Sequence, residues 1–402
     1  MNTDLARRLV ARVPGARAVN DFLARFRRPD LLQHPVGRRR PRLSTVIVEE
    51  KVESPADVEI AERLLAAYRA ATAQDPTADP AKATDIWTEL HARSRSFTSV
   101  LDSNDPRRLA RYLCNASRHD AMHGISQGDF EYARITRDRA YREFHALVTQ
   151  DKLVSLAEGV GALPVENPEQ GTYGRSLHID PSQLVEAVEA RLGIDITPPD
   201  IDGCLLKLCA GARSFNEKDL SAVYTACLSR NALPGADQTR VCEIGGGAGR
   251  LAYWSHRLGM TSYTIVDLPR VNLLQGYYLL RTLPADRVLL FGEEGATELF
   301  DGIRVLPAQA IEDHAHDYDV VVNQDSLPEM DSETVRQYLR WIKGCSRRLL
   351  SINQENKPPY SKGLAHVSVP ETIEEVGGYR LSQRFPYWMR KGYVTELYEV
   401  GG

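Results

Sequence analysis

Arg240-Val241-Cys242-Glu243-Ile244-Gly245-Gly246-Gly247-Ala248-Gly249-Arg250-Leu251 is the stretch whose reading decides the fold. Val241 to Ile244 have the length and apolar character of a buried strand. Arg250 to Leu258 (RLAYWSHRL) has amphipathic helical spacing and stops at Gly259, a residue able to end a helix in the left-handed conformation. The glycines therefore sit at a strand-to-helix turn. Without a Cβ they let the backbone come close to a ligand, and the helix N-terminus offers unpaired N–H groups to a carboxylate. Asp267 follows 24 residues after Glu243, at the end of a second expected strand, Tyr263 to Val266. A carboxylate there can accept hydrogen bonds from both hydroxyls of a ribose.

Three readings suit this pattern. Gly247-Ala248-Gly249-Arg250-Leu251-Ala252 matches the dinucleotide form G-x-G-x-x-G/A, and Asp267 would serve a nicotinamide cofactor equally well. A purely structural glycine turn is the plainest alternative. Two features favour S-adenosylmethionine (SAM), whose product is S-adenosylhomocysteine (SAH). Glu243 lies two residues before the first glycine, and the chain ends in an expected antiparallel hairpin after five expected strands. The sequence thus points to a methyltransferase.

Outward from this motif, short apolar runs alternate with helical patterns: Arg240–Ile244, Tyr263–Val266, Val288–Phe291, Tyr318–Val322 and Arg348–Ile352, with Ile303–Leu306 as a rival or additional strand. That alternation predicts a parallel sheet covered on both faces. Tyr379–Phe385 and Tyr393–Val400 predict the closing hairpin. Upstream the period is helical. Ser54-Pro55-Ala56-Asp57, Asp105-Pro106, Asp138, Asp180-Pro181, Thr197-Pro198-Pro199 and Asn216 read as helix starts, and Gly193 as a helix stop. The expected fold class is α/β: a Rossmann-like class I methyltransferase sheet preceded by an all-helical N-terminal domain. The expected divisions are a basic arm (1–50), a helical domain (51–160), a helical bridge (161–235) and the SAM-binding domain (236–402).

Composition narrows the rest. The 402 residues are 43% hydrophobic and 26% charged, as in soluble globular chains. No apolar run approaches the roughly 18 residues of a membrane span, and no secretory signal is visible, so the expectation is a cytoplasmic protein. The six cysteines include no C-x-x-C pair and read as small buried hydrophobes. Residues 1–45 hold eleven arginines against three aspartates, a charge of +8; with −4 overall, the remainder carries −12. Such an arm suits peripheral contact with an anionic membrane, packing on an acidic face of its own chain or a partner, or a transit peptide. An acidic body argues against a nucleic-acid substrate.

By these motifs the chain resembles the sugar O-methyltransferases, a branch of the class I SAM-dependent methyltransferases. The resemblance runs through most of the chain and rests on Glu243-Ile244-Gly245-Gly246-Gly247, on Ile265-Val266-Asp267-Leu268-Pro269 followed by Tyr277-Tyr278-Leu279, on Val322-Asn323 with Glu329-Met330, and on Ser351-Ile352-Asn353. Ile86-Trp87, Leu113-Cys114-Asn115 and Glu166-Asn167-Pro168 extend it upstream. It implies methylation of a hydroxyl on a polysaccharide, glycolipid or glycosylated metabolite, and a homodimer joined through the helical region. A small-molecule O-methyltransferase acting on a phenol or polyketide, and a non-catalytic assembly protein on the same fold, are the alternatives.

Open sheets bind ligands beyond the carboxyl ends of their strands. The residues expected around the cofactor are Glu243, Gly245, Gly246, Gly247, Gly249, Asp267, Leu268, Gln309 and Asn323. A sugar hydroxyl is a weak nucleophile, so a base is required, and Asp325, Glu329 and His366 are the candidates. Asp325 and Glu329 could equally cap or hold a loop, and an isolated histidine is often packed. Tyr387, Trp388 and Asn353 are the expected acceptor contacts; Trp254 suits a sugar platform or the core. No metal is expected, because no carboxylate cluster is visible. Lys357-Pro358-Pro359-Tyr360 is similar to the loop of amino-methylating enzymes, but it follows the fifth strand and carries lysine where an acceptor is needed.

Overall fold

The computed structural model describes residues 32–36, 39–73, 90, 92–170, 174–201, 204–233, 239–295, 300–311, 317–355 and 366–401. Residues 1–31 of the basic arm, Ile86-Trp87 and the Lys357–Tyr360 loop lie outside the described residues.

The first described elements are β1 (Thr45–Ile47), α1 (Pro55–Ala73), α2 (Arg95–Ser103), α3 (Pro106–Leu113), α4 (Asp129–Arg137) and α5 (Arg139–Gly159), then α6 (Pro181–Leu192), β2 (Leu206–Ala210), β3 (Arg213–Phe215) and α7 (Glu217–Asn231). The start signals work as the sequence suggests. Asp105 accepts from the backbone of Arg107 and Arg108, Asp138 from Tyr141, and Asn216 from Lys218 and Asp219, so each satisfies donors orphaned at a helix N-terminus. Ser54 donates through its backbone and hydroxyl to Asp57, which ties down the entry to α1. One expectation fails. Thr197-Pro198-Pro199 starts no helix, and the next described element is the strand Leu206–Ala210. Residues before proline avoid the helical region, and apolar Leu206 and Leu208 pair with Ile47 and Thr45. The helical region therefore also contains a small antiparallel sheet in the order β1-β2-β3.

The remaining elements are β4 (Arg240–Ile244), α8 (Arg250–Arg257), β5 (Ser262–Asp267), α9 (Pro269–Thr282), β6 (Val288–Leu290), β7 (Gly302–Pro307), β8 (Val320–Gln324), α10 (Ser332–Cys345), β9 (Arg348–Gln354), α11 (Val369–Val376), β10 (Tyr379–Pro386) and β11 (Tyr393–Val400). The described strands of this region form one sheet in the order β6-β7-β5-β4-β8-β9-β11-β10, parallel from β6 to β9, with β11 and β10 antiparallel. Both strand candidates near the third position form. Gly302–Pro307 lies beside β5, which leaves Val288–Leu290 at the edge. This is the expected fold class, a Rossmann-like sheet with a closing antiparallel hairpin.

Alternation along the strands sends side chains to two cores. Val241, Ile265, Val305 and Val322 pack in one with Leu273, Tyr277 and Trp254, while Cys242, Ile244, Val266 and Val321 pack in the other with Leu339 and Ile342. Trp254 is fully buried and donates to Asp219, so it belongs to the core rather than to a sugar platform. The helical region is pressed onto the sheet unit through α1 and α9. A Cβ on Gly276 would lie 2.5 Å from Leu64 Cδ2, so glycine here permits the close approach. Asp57 accepts from Tyr277 and pairs with Arg281 across the same contact.

Residues preceding β1 are fastened to α5. The backbone N–H groups of Gln33 and His34 each donate to the Asp151 carboxylate at 2.8 Å, and the buried His34 ring bridges Asp151 and Glu158, both at 2.8 Å. Burial alone would lower the His34 pKa, but the hydrogen bonds and charges of Asp151 and Glu158 raise it to about 9. A pKa raised on folding gives stability that is complete below about 6.5 and is lost as pH rises through about 9. His34→Ala is expected to cost about 3 kcal/mol at pH 7, because it leaves two buried carboxylates uncompensated. Urea denaturation at pH 7 and pH 10 checks this: the gap between wild type and variant should shrink at the higher pH, and a gap independent of pH would contradict it.

Candidate functional site

The chain reverses its direction of travel across the sheet between β4 and β8, and the crevice beyond their carboxyl ends is where such sheets take ligands. A cavity of about 570 Å³ opens there. Its two halves are built by different parts of the chain.

The first half is lined by Glu243, Gly245, Gly246, Gly247, Val266, Asp267, Leu268, Ser326 and Met330. Gly245 has φ +75°, and a Cβ on it would fall 2.1 Å from Ser326 Oγ, so the turn is shaped for glycine. Ser326 cannot easily yield. Its hydroxyl donates to the Ile244 carbonyl and accepts from Asn323 Nδ2, and the same Nδ2 also donates to Ile244. Two acids close this half from the ends of adjacent strands. Glu243 is buried and accepts from the Tyr263 hydroxyl at 3.0 Å; desolvation, added to by the Asp267 charge, raises its pKa to about 8 despite that hydrogen bond. Asp267 accepts from the Leu268 N–H at 2.8 Å and from Gln275 Nε2 at 2.6 Å, yet desolvation in the packed wall still raises its pKa to about 7. The half thus presents a glycine cradle beside two carboxyl groups poised to ionise near neutrality.

The second half belongs largely to α5 and α7. Tyr141, Phe144, His145, Val148 and Lys152 form one stripe of α5 along the cavity; Glu217, Lys218 and Ser221 come from the start of α7, and Tyr387 and Arg390 from the β10–β11 connection. None of the α5 or α7 residues was singled out from the sequence. The helical spacing 141, 144/145, 148, 152 was the available signal, but it reads equally as core packing until the sheet is placed opposite.

The base candidates separate. Asp325 and Glu329 line the cavity. Asp325 adopts φ +71°, unusual for a side-chain-bearing residue, and is held by Arg390 at 2.6 Å, by the Tyr393 hydroxyl at 2.5 Å and by its own N–H donating to Asn353 Oδ1. His366 does not line the cavity; it is buried beside Gln354, its Nδ1 3.3 Å from Gln354 Nε2. Other expected contacts are also displaced from the wall. Asn353 is buried and bonds to Asn323, Ser351 and Asp325, so it fixes the turn after β8 rather than facing a ligand. Asn323 is buried behind the glycine turn, Gly249 packs on α9, and Gln309 donates to the Ala71 carbonyl. Tyr387 reaches the wall but is buried, with its hydroxyl among Thr225, Gln324 and Ser221. Trp388 packs toward the core beside Gly159. Of these two neighbouring aromatics only Tyr387 lines the cavity, a side-chain direction that no local sequence pattern encodes. Among the described residues no group of three or more His, Cys, Asp or Glu side chains could hold a metal ion, and no helix is long and apolar enough to cross a membrane.

Gly245→Ala is expected to cost about 2–3 kcal/mol in urea denaturation, from a left-handed backbone and a clash with a doubly bonded serine. A variant as stable as wild type would show that the turn is looser than this geometry requires.

No protein-family model matches the chain, and no curated protein does. Solved structures of methyltransferases are similar to part of it. The mitomycin 7-O-methyltransferase aligns at 19% identity with a TM-score of 0.33, over 46% of this chain and 55% of its own. The magnesium protoporphyrin IX methyltransferase from Synechocystis PCC 6803, solved with bound SAM, aligns at 16% identity with a TM-score of 0.32, over 45% of this chain and 77% of its own. The ribosomal protein L11 methylase from Lactobacillus delbrueckii subsp. bulgaricus aligns at 11% identity with a TM-score of 0.31, over 46% of this chain and 80% of its own. The match thus spans about half the length of the first of these.

Proposed function

We propose that this chain is a SAM-dependent O-methyltransferase acting on a hydroxyl of a sugar or glycoside. The observation that carries the cofactor reading is the pairing of a glycine cradle with Glu243 and Asp267 on one cavity wall. The residues fit the group. A Cβ on Gly245 would fall 2.1 Å from Ser326 Oγ and one on Gly246 2.6 Å from Ile265 Cγ2, so the turn beside the two acids is bare backbone packed on its own side chains. Asp267, at the end of β5, is the acceptor for ribose hydroxyls, and two ionised carboxylates suit a sulfonium cation. SAM, when bound, supplies an electrophilic methyl group and a neutral thioether leaving group.

The chain's own part is alignment and proton removal. Holding two reactants in line is worth up to about 7–11 kcal/mol of barrier. Glu329, on the turn after β8 between Ser326 and Met330 of the cofactor half and Asp325 of the acceptor half, is assigned as proton acceptor by position. Asp325 is committed to Arg390 and Tyr393 and is assigned to orient the acceptor. The sugar reading is supported by the lining of the acceptor half, where aromatic Tyr141 and Phe144 alternate with charged Glu131, Lys152, Glu217, Lys218 and Arg390. A phenol or polyketide acceptor calls for a mainly apolar wall.

Calorimetric titration with SAH tests the cofactor assignment, with Asp267→Ala and NAD as controls. Binding lost in the variant, and absent for NAD, is the expected result; NAD binding without SAH binding would overturn it. If the ionised form of Asp267 is the one that binds, affinity falls as pH drops below about 7, by about tenfold per unit, because the proton must leave first. An affinity constant from pH 5.5 to 8 would contradict this. Glu329→Gln is expected to lower kcat by about 10²–10⁴ and leave SAH affinity unchanged.

A further inference from the structure

Lys152 is the least expected residue in the cavity. It lies in the third turn from the C-terminal end of α5, is only 6% exposed, and reaches the wall of the acceptor half. Among the described residues no hydrogen bond or ion pair reaches its ammonium group. A desolvated lysine left so costs stability, which a chain keeps only where something else is gained.

Its electrostatic surroundings say what that gain is. The charges that act most on Lys152 are Glu217, Asp151, Arg390 and Lys218. Asp151 is already bonded to His34, which leaves Glu217 as the carboxylate of the group that faces the cavity. Glu217 in turn is held ionised, against desolvation, by Lys218, His145, Lys152 and Arg390. Arg390 is also shared with Asp325 at 2.6 Å. Arg390 is held by Asp325, whereas Lys152, beside Glu217, makes no hydrogen bond or ion pair among the described residues. Two further acids reach the same cavity, Glu131 against the Tyr141 hydroxyl and Glu329 near Tyr393.

We infer that this corner of the acceptor half is an oxyanion subsite, and that the acceptor carries a carboxylate or phosphate which gives the Lys152 ammonium the partner it lacks. The inference rests on the methyltransferase reading for the word acceptor, but the subsite itself is defined by the cavity and the buried, unpartnered ammonium. An acidic sugar such as a uronate, or a sugar phosphate, has the required chemistry. The anion would lie beside Lys152 and Lys218 while the aromatic stripe of α5 covers a ring face, leaving a hydroxyl directed toward Glu329 and the glycine cradle.

The test is calorimetric titration of the full-length protein, with and without SAH, with glucuronate, glucose 1-phosphate and glucose at constant ionic strength. The account predicts that at least one anionic probe binds at least tenfold more tightly than glucose. Which one it is separates carboxylate from phosphate. Lys152→Met should abolish that difference, leave SAH affinity unchanged and raise Tm, because a desolvated charge without a partner has been replaced by an apolar chain of similar length. Lys218→Ala should weaken anion binding while retaining the fold. Equal binding of all three probes, or none by any, overturns the subsite, as does a Lys152→Met variant with lowered Tm and unchanged anion affinity. Failure of SAH to bind is a separate result that sinks the cofactor reading, and the comparison of probes still decides the subsite.

Discussion

Two carboxyl groups held out of water at the ends of neighbouring parallel strands are the constraint on which this structure turns. Glu243 and Asp267 project from β4 and β5, whose pairing of Glu243 with Ile265 and Ile244 with Val266 leaves no freedom to move one away from the other. Burial raises both pKa values to near neutrality, to about 8 and about 7. A fold that places two acids so is less stable as pH rises through those values, since ionisation in place is opposed by desolvation and mutual repulsion. The glycine turn beside them, backed by Ser326 and Asn323, supplies the concave backbone that a ligand with hydroxyls and positive charge would fill.

The other half adds a buried cation. The helical region contributes a stripe of α5 and the start of α7, where the buried Lys152 stands beside Glu217. One cavity therefore has two buried acids on one wall and a buried lysine on the other, built by the two parts of the chain. The contact between those parts is set by Gly276 under Leu64 and by Asp57 between Tyr277 and Arg281.

The fold was legible in the sequence because local and long-range signals agree there. Strand runs after residue 235 are short, apolar and β-branched, and helix starts carry acids or asparagine at the capping position, as at Asp105, Asp138 and Asn216. The failure at Thr197-Pro198-Pro199 has a plain cause: a helix-start pattern is local, whereas the strand that follows, Leu206–Ala210, is fixed by pairing with β1, more than 150 residues upstream. Glu243, Gly245, Gly246, Gly247 and Asp267 on the first wall were legible because their spacing is set by one continuous strand–turn–helix–strand unit. The second wall was not, since Lys152, His145 and Glu217 become neighbours only through tertiary packing. His366, Trp388 and Asn353 do not line the cavity, because side-chain direction is decided by contacts such as Asn353 with Asn323 that no local pattern encodes.

Proton release on ligand binding tests the central claim most directly. Titrating the protein with SAH near pH 6.5, in buffers of different ionisation enthalpy, counts the protons exchanged when the complex forms. If the acid pair is the cofactor's anchor, binding drives Asp267 and Glu243 toward their ionised forms and releases protons, and Asp267→Asn removes most of that release. Binding that proceeds with no proton exchange would mean that the two buried acids take no part in holding the ligand.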